Sequence, residues 1–260
     1  MSEYQYPDKD DKLTAALINN EYDGLSWQKS EEKVMSVAVA AVSGLSTGRH
    51  HRTLLDVGCG IGRMFGVFAE YVGRIDALEP DRDRADRAHS QGRRIEERTG
   101  TKISVINGTI GSIAKDTKYD VVLSSHVIQH LGSRQAEELV RAMSDRLCTG
   151  GLLILTTTYA CDGQERFYSE SWDGKVRKSV RITPEDFERV YRDGTDLPVR
   201  MFAEETITKM AETASLRLAD FRPFHGKIDG QRTEHEHQPR DAFYLFVKVQ
   251  ENKSVKEVGR

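Results

Sequence analysis

Leu54-Leu55-Asp56-Val57-Gly58-Cys59-Gly60-Ile61-Gly62-Arg63 is the stretch that decides the fold. Thr53 to Val57 reads as a buried strand. It runs into a glycine cluster, and a helix from Arg63 to about Val72 is expected straight after. Glycines at such a turn let the backbone approach a ligand closely and take positive φ. The N-terminus of the helix that follows offers unpaired N–H groups and a positive dipole end to an anion. Dinucleotide-binding loops are written G-x-G-x-x-G. Here the third glycine comes one residue early, and Arg63 stands where that pattern wants glycine. Asp56 sits at the mouth of the loop. Its carboxylate would repel a pyrophosphate but would favour a ligand with an ammonium and a sulfonium group. Glu79 ends the next strand, where an acidic residue can accept hydrogen bonds from ribose hydroxyls.

On either side of this stretch the pattern alternates. A helix is expected from Ser26, with Val34, Val37, Ala38, Ala41 and Val42 at helical spacing and Gly44 as its stop. After the loop come a strand at Arg74–Glu79, a charged helix from Asp81 to about Arg98, and strands at Ile103–Asn107 and Tyr119–Ser124. A helix at Arg134–Leu147 ends before Gly150-Gly151, and a strand follows at Leu152–Thr157. Strands alternating with helices imply a parallel, doubly wound sheet. The rhythm then breaks. Phe167–Trp172, Asp173-Gly174 and Lys175–Ile182 read as a hairpin, and Thr183-Pro184 starts a helix with Thr183 as N-cap. It resumes with a helix near Glu204–Ala214 and strands at Leu216–Phe224 and Ala242–Val249.

Asp56-x-Gly58-x-Gly60-x-Gly62, Glu79-Pro80-Asp81, Tyr119-Asp120-Val121-Val122 and Leu147 to Gly151, in this order, resemble the class I S-adenosylmethionine-dependent methyltransferases over residues 50–160, with weaker echoes to residue 249. The resemblance implies an α/β, doubly wound, mostly parallel seven-stranded sheet with the last strand antiparallel and helices on both faces. A hairpin-helix insertion would follow the fifth strand. One domain is expected over residues 1–249, with 1–50 as lid and helices and 51–159 as cofactor core. Residues 160–201 would form an acceptor-side cap, 202–249 would complete the core, and 250–260 would be a disordered tail.

The resemblance also implies roles. Asp56 and Gly58 would hold the methionine amino group, and Gly60 and Gly62 would allow close approach. Arg63 would pair with the methionine carboxylate, cap the helix or face solvent. Glu79 would bind the ribose. The third strand of the family normally ends near an acidic residue for the adenine amine. Here Thr109 occupies that place, leaving adenine to backbone groups, Thr109 or Asn107. Ser124 and Ser125 would face the cofactor.

Methyl transfer needs alignment and exclusion of water more than protein chemistry, because the sulfonium is already activated. A base helps when the acceptor carries a proton. His126 and His130 are four apart, so a helical turn would place them on one face, with His130 the stronger base candidate. Tyr168 and Trp172 in the hairpin, and His225 after the sixth strand, are expected on the acceptor side. His235-Glu236-His237 allows a metal site but reads first as a solvated loop, and no metal ligand is assigned. Three readings compete with a small-molecule acceptor. A protein N-terminal methyltransferase would need an acidic residue where Thr156, Thr157 and Thr158 stand. A NAD-dependent oxidoreductase is opposed by Asp56, and a non-catalytic cofactor-binding scaffold would lack an open acceptor space.

Composition sets the remaining bounds. The 260 residues carry a net charge of -3, which gives no footprint for nucleic acid. No run approaches the roughly 18 apolar residues of a membrane span. Three cysteines at unrelated spacings suggest neither a disulfide framework nor a zinc site. A cytoplasmic enzyme is expected; no motif encodes its acceptor or its oligomeric state.

Overall fold

The computed structural model describes residues 25–172, 177–224 and 240–250. The Asp173-Gly174 turn, His225, His235, His237, the segment before residue 25 and the tail after residue 250 lie outside them, as does the side chain of Trp172. The elements in chain order are α1 (Leu25–Ser43), β1 (Thr53–Val57), α2 (Phe65–Phe68), β2 (Arg74–Glu79), α3 (Arg82–Thr99), β3 (Lys102–Asn107), β4 (Tyr119–Ser125), α4 (Ser133–Asp145) and β5 (Leu147–Thr158). Next come β6 (Arg166–Trp172), β7 (Arg177–Ile182), α5 (Pro184–Asp193), β8 (Leu197–Met201), α6 (Glu204–Thr213), β9 (Leu216–Phe224) and β10 (Asp241–Lys248).

Seven strands form one sheet in the order β3-β2-β1-β4-β5-β10-β9. β1 pairs β2 and β4 in parallel, β2 pairs β3 and β4 pairs β5 likewise, and only β10 runs antiparallel to its neighbours β5 and β9. β9 therefore points the same way as the first five strands. The order reverses at β1/β4, and in open α/β sheets ligands bind outside the carboxyl ends of the strands at such a switch point.

Strand side chains alternate between the two faces, and the adjacent apolar pairs Leu54/Leu55 and Val121/Val122 divide accordingly. Leu55, Val57, Val122, Leu153 and Leu155 pack with Ala136, Val140 and Met143 of α4 and Ile207 and Met210 of α6. Leu54, Ile75, Val121, Leu123 and Ile154 pack with Val34, Met35, Ala38 and Val42 of α1, Phe65 and Phe68 of α2, and Ala88 and Ile95 of α3. Continuous apolar runs in β1 and β4 are thus the signature of a sheet covered on both faces.

Local signals end the helices. The Asp81 side chain accepts from the Arg84 N–H (2.9 Å) to cap α3, and Gly100 closes it at φ 73°. Thr183 caps α5 by accepting from the Asp186 N–H (3.1 Å), with Pro184 in the first turn.

Three elements differ from the sequence reading. The helix expected at Arg63–Val72 contracts to the four residues of α2, because the chain around it keeps three-residue turns: Phe65 N–H to Gly62, Val67 to Met64 and Tyr71 to Phe68. Phe65 and Phe68, three apart and both buried, hold that turn to the sheet. Such a short turn supplies no helix dipole for an anion, so the loop must act through its own groups. β5 starts five residues early. Tyr119 pairs Leu147 while Val121 pairs Leu152, so residues 148–151 bulge, with Gly150 at φ 80°. The insertion holds a strand, β8, that the sequence reading left out, giving a second sheet in the order β7-β6-β8.

Gly62 has φ +87°, and a Cβ built there would lie 2.4 Å from the Phe65 ring. Gly62→Ala should lower unfolding free energy by about 2–4 kcal/mol, combining left-handed strain with overpacking. A urea midpoint equal to that of the wild type would show that the loop relaxes away from Phe65.

Candidate active site

The site grows from the carboxyl ends of β1, β2 and β4. Asp56, next to last in β1, is 2 % exposed, and its Oδ2 has no hydrogen-bond partner among the described residues. Burial pushes its carboxyl up to about 7; Arg63 opposes this and Glu79 adds to it. An unsatisfied buried oxygen costs the fold free energy, and it suits a ligand that brings an N–H donor and positive charge.

Gly58 and Gly60 follow at φ +73° and +57°. The Gly58 and Cys59 N–H groups both donate to the Leu78 carbonyl (2.9 Å each), which fastens the loop to β2. A Cβ built on Gly60 meets nothing within 4 Å, so this backbone borders open space where a ligand can lie against it. Burial pushes the Cys59 thiol well up, with Asp56 and Glu79 adding to it, so it stays a protonated, inert packing group.

Glu79 ends β2 and is 2 % exposed. Its Oε2 accepts from the Gly60 N–H (2.9 Å) and its Oε1 from the Asp81 N–H (3.0 Å). Each oxygen keeps a lone pair for a further donor, so the carboxylate is aimed rather than consumed. Burial pushes it up to about 7, against the pull of Arg84 and the two backbone N–H groups. Asn107 is exposed, and its Nδ2 donates to the carbonyls of Glu79 (3.0 Å) and Pro80 (2.8 Å), tying β3 to the end of β2. Thr109 is exposed and opens the 3-10 turn Ile110–Ser112.

Arg63 pairs with Glu31 of α1 through both terminal nitrogens, and its NH2 donates to Ser125 Oγ (3.1 Å). This replaces the helix-capping and solvent-facing readings. Ser125 also accepts from Thr156 Oγ1 (2.9 Å). Ser124 is fully buried, with its hydroxyl 3.3 Å from the Val57 carbonyl, so it joins β4 to β1 and does not face a ligand.

The histidines do not share a helical face. His126 takes φ +56° at the strand end, and the 3-10 turn Ile128–His130 starts only beyond it. Left-handed backbone at a non-glycine residue is strained and clusters at functional sites. Gln129, 3 % exposed, accepts from Thr157 Oγ1 (3.1 Å), which turns its amide nitrogen toward His126 Nδ1 (3.2 Å). His126 Nδ1 thus accepts and Nε2 carries the hydrogen. Asp241 Oδ1 lies 3.9 Å from the same Nδ1. Burial holds the His126 imidazole well below the usual histidine range, with Arg63 and His130 adding repulsion, so it is neutral at pH 7. His130 has the opposite tautomer. Its Nδ1–H donates to the Pro198 carbonyl of β8 (2.8 Å), which makes Nε2 the acceptor nitrogen.

The inserted sheet is pinned to this edge. Buried Arg200 donates to Glu165 (3.1 and 2.6 Å) and Ser133 (3.3 Å), and the Ser133 N–H donates to Glu188 (2.8 Å). Tyr168 packs on Leu197 and Val199 in the small core of this sheet.

Glu31, Gln129, Asp241 and the Pro198 carbonyl were not given roles by the sequence reading. Glu31 left a trace, since it falls on the stripe of Val34, Met35, Ala38 and Val42. Gln129 left one too, three residues after His126. Asp241 and Pro198 are brought in by distant strands and left none. Among the described residues no three His, Cys, Asp or Glu side chains gather as metal ligands, and no helix is long and apolar enough to cross a membrane.

Residues 55–153 match the family described as a methyltransferase domain. No curated protein matches the sequence. Among solved structures, an S-adenosylmethionine-dependent methyltransferase from Clostridium acetobutylicum superposes with a TM-score of 0.58 at 14% identity, over 92% of this chain and 98% of that one. The 1,6-didemethyltoxoflavin-N1-methyltransferase of Burkholderia thailandensis, with its acceptor and S-adenosylhomocysteine bound, gives 0.58 at 14% identity over 96% and 100%. A glycopeptide N-methyltransferase complexed with S-adenosyl-L-methionine gives 0.54 at 14% identity over 82% and 92%. These likenesses are likenesses of fold. The carboxylate-bearing glycine loop lies inside the stretch that matches the methyltransferase-domain family, and the sheet has the fold of the S-adenosylmethionine-dependent methyltransferases it superposes on.

Proposed function

We propose that the protein methylates an O, N or C atom of a small molecule, with S-adenosylmethionine lying along the carboxyl ends of β1 and β2. The residues present fit that cofactor. Asp56 Oδ2 lacks a partner, Gly60 borders open space, and Glu79 is held with lone pairs to offer. Asp56 takes the methionine ammonium, Arg63 its carboxylate, and Glu79 the ribose hydroxyls. Ser125 holds Arg63 in place, Gly58 and Gly62 shape the turn, and Thr109 borders the adenine. The bound cofactor supplies an activated methyl group. The protein aligns the acceptor and excludes water. Where the acceptor carries a proton, His130 Nε2 takes it, with Pro198 fixing the ring. His126 stays neutral and shapes the strand end.

The observation that carries the small-molecule reading is the pinned insertion. His130–Pro198, Arg200–Ser133 and Ser133–Glu188 hold the described part of the insertion against the core as a cap, with Tyr168 and Trp172 on it. The same bonds support reading the chain as one domain over 1–249. A fixed cap favours a small enclosed acceptor over a polypeptide in a groove. A second reading, transfer to a protein α-amino group, draws on Asp241, a carboxylate beside the strand end where Thr156, Thr157 and Thr158 offer none. A labelled-methyl screen with a metabolite arm and a peptide arm decides: label in peptides alone would overturn the small-molecule reading.

Cofactor binding should depend on pH. Asp56 and Glu79 are each raised to about 7 from 3.8 and 4.5. For acids raised in this way the folded free protein holds more protons than the unfolded chain between the two values. These groups therefore favour folding at low pH, and that contribution is lost as pH rises toward 7. An ammonium on Asp56 and hydroxyls on Glu79 favour the ionised forms. Affinity should thus fall about tenfold or more from pH 7 to pH 6 and level off above pH 8. Calorimetry across that range checks this, and an affinity independent of pH would contradict it.

A further inference from the structure

The N-terminal helix brings a carboxylate to the methionine end of the cofactor site. Glu31 is 2 % exposed on the buried face of α1. Both its oxygens meet Arg63, and Ser125 Oγ lies 3.3 Å from Oε1. Arg63 is also the positive charge that offsets the burial of Asp56. Among the described residues one guanidinium therefore serves two buried carboxylates, and one negative charge is left uncompensated. The ribose end is different, because Glu79 there faces Arg84. Asp241, near His126, has the same sign as the excess, and the His126 ring is neutral.

The ammonium and carboxylate of the methionine half sum to zero. The sulfonium supplies the charge that balances the excess. On transfer the acceptor lone pair forms the new bond to the methyl carbon, and the C–S bonding pair stays on sulfur. The product is then a neutral thioether. We propose that Glu31 is a specificity-determining residue that makes this site prefer the charged methyl donor over its demethylated product. The proposal rests on the placement of the methionine half at Asp56 and Arg63. Buried charges interact strongly because little solvent screens them, so Glu31 acts on the sulfur without touching it. It also favours release of product after each turnover.

Glu31→Gln keeps the shape and an oxygen for Arg63 but removes the charge. Calorimetry would compare four ligands on the full chain: S-adenosylmethionine, S-adenosylhomocysteine, sinefungin, whose amine restores a positive charge near the sulfur position, and methylthioadenosine, which lacks the amino-acid half. The affinity ratio of S-adenosylmethionine to S-adenosylhomocysteine should fall on the order of tenfold, the scale of one unit charge across a partly buried site. Sinefungin should weaken with the donor, methylthioadenosine should be unchanged, and Glu31→Asp should restore most of the ratio. An unchanged ratio, or equal losses for all four ligands, would overturn the proposal. Failure of the wild type to bind either S-adenosyl ligand would instead overturn the cofactor placement.

Discussion

His130→Ala should lower kcat by roughly 10²–10⁴ on an acceptor that carries a proton, with cofactor affinity nearly unchanged. The expectation follows from the tautomer. A carbonyl can only accept, so the 2.8 Å contact with Pro198 places the hydrogen on Nδ1 and makes Nε2 the basic nitrogen. The variant should also lose the acidic limb of the kcat/KM profile, a change that loosened packing would not produce. His130→Gln keeps a donor for Pro198 but no base, so it should be as slow as the alanine variant and fold as well as the wild type. A fall in cofactor affinity with kcat preserved would make His130 a wall of the cofactor site instead.

Asp56→Asn should weaken S-adenosylmethionine binding by roughly 10- to 150-fold, the value of one charge-assisted hydrogen bond of about 1.5–3 kcal/mol. The same change should stabilise the free protein at pH 8. There the buried carboxylate is ionised against its environment, as its rise from 3.8 to about 7 records. Removing that charge should raise the unfolding free energy by about 1–4 kcal/mol. Gain of stability with loss of binding is the pattern of a residue kept for its ligand. Loss of both would show that Asp56 serves the fold.

Most of the sheet was legible in the sequence because its signals are local. Apolar pairs mark strands covered on both faces, and Asp81 and Thr183 mark helix starts within one turn. Asp56, Glu79 and the glycines were legible for the same reason, since a strand and its loop are contiguous. Where partners come from afar the reading failed. Nothing near Arg63 announces that Glu31, thirty-two residues earlier, takes its guanidinium. The apolar spacing after Arg63 is helical, yet three-residue turns won there. Nothing near Asn107 announces that the carbonyls of Glu79 and Pro80, at the end of β2, take its amide nitrogen. His126 and His130 are four apart, but the left-handed His126 breaks the helix that spacing assumes.

Calorimetric titration of the full chain at pH 8 with S-adenosylmethionine, S-adenosylhomocysteine and NAD tests the central claim most directly. The account predicts one site per chain for each sulfur ligand, weakened in Asp56→Asn and Glu79→Gln, and no heat with NAD. Binding of NAD with no response to either sulfur ligand would contradict it.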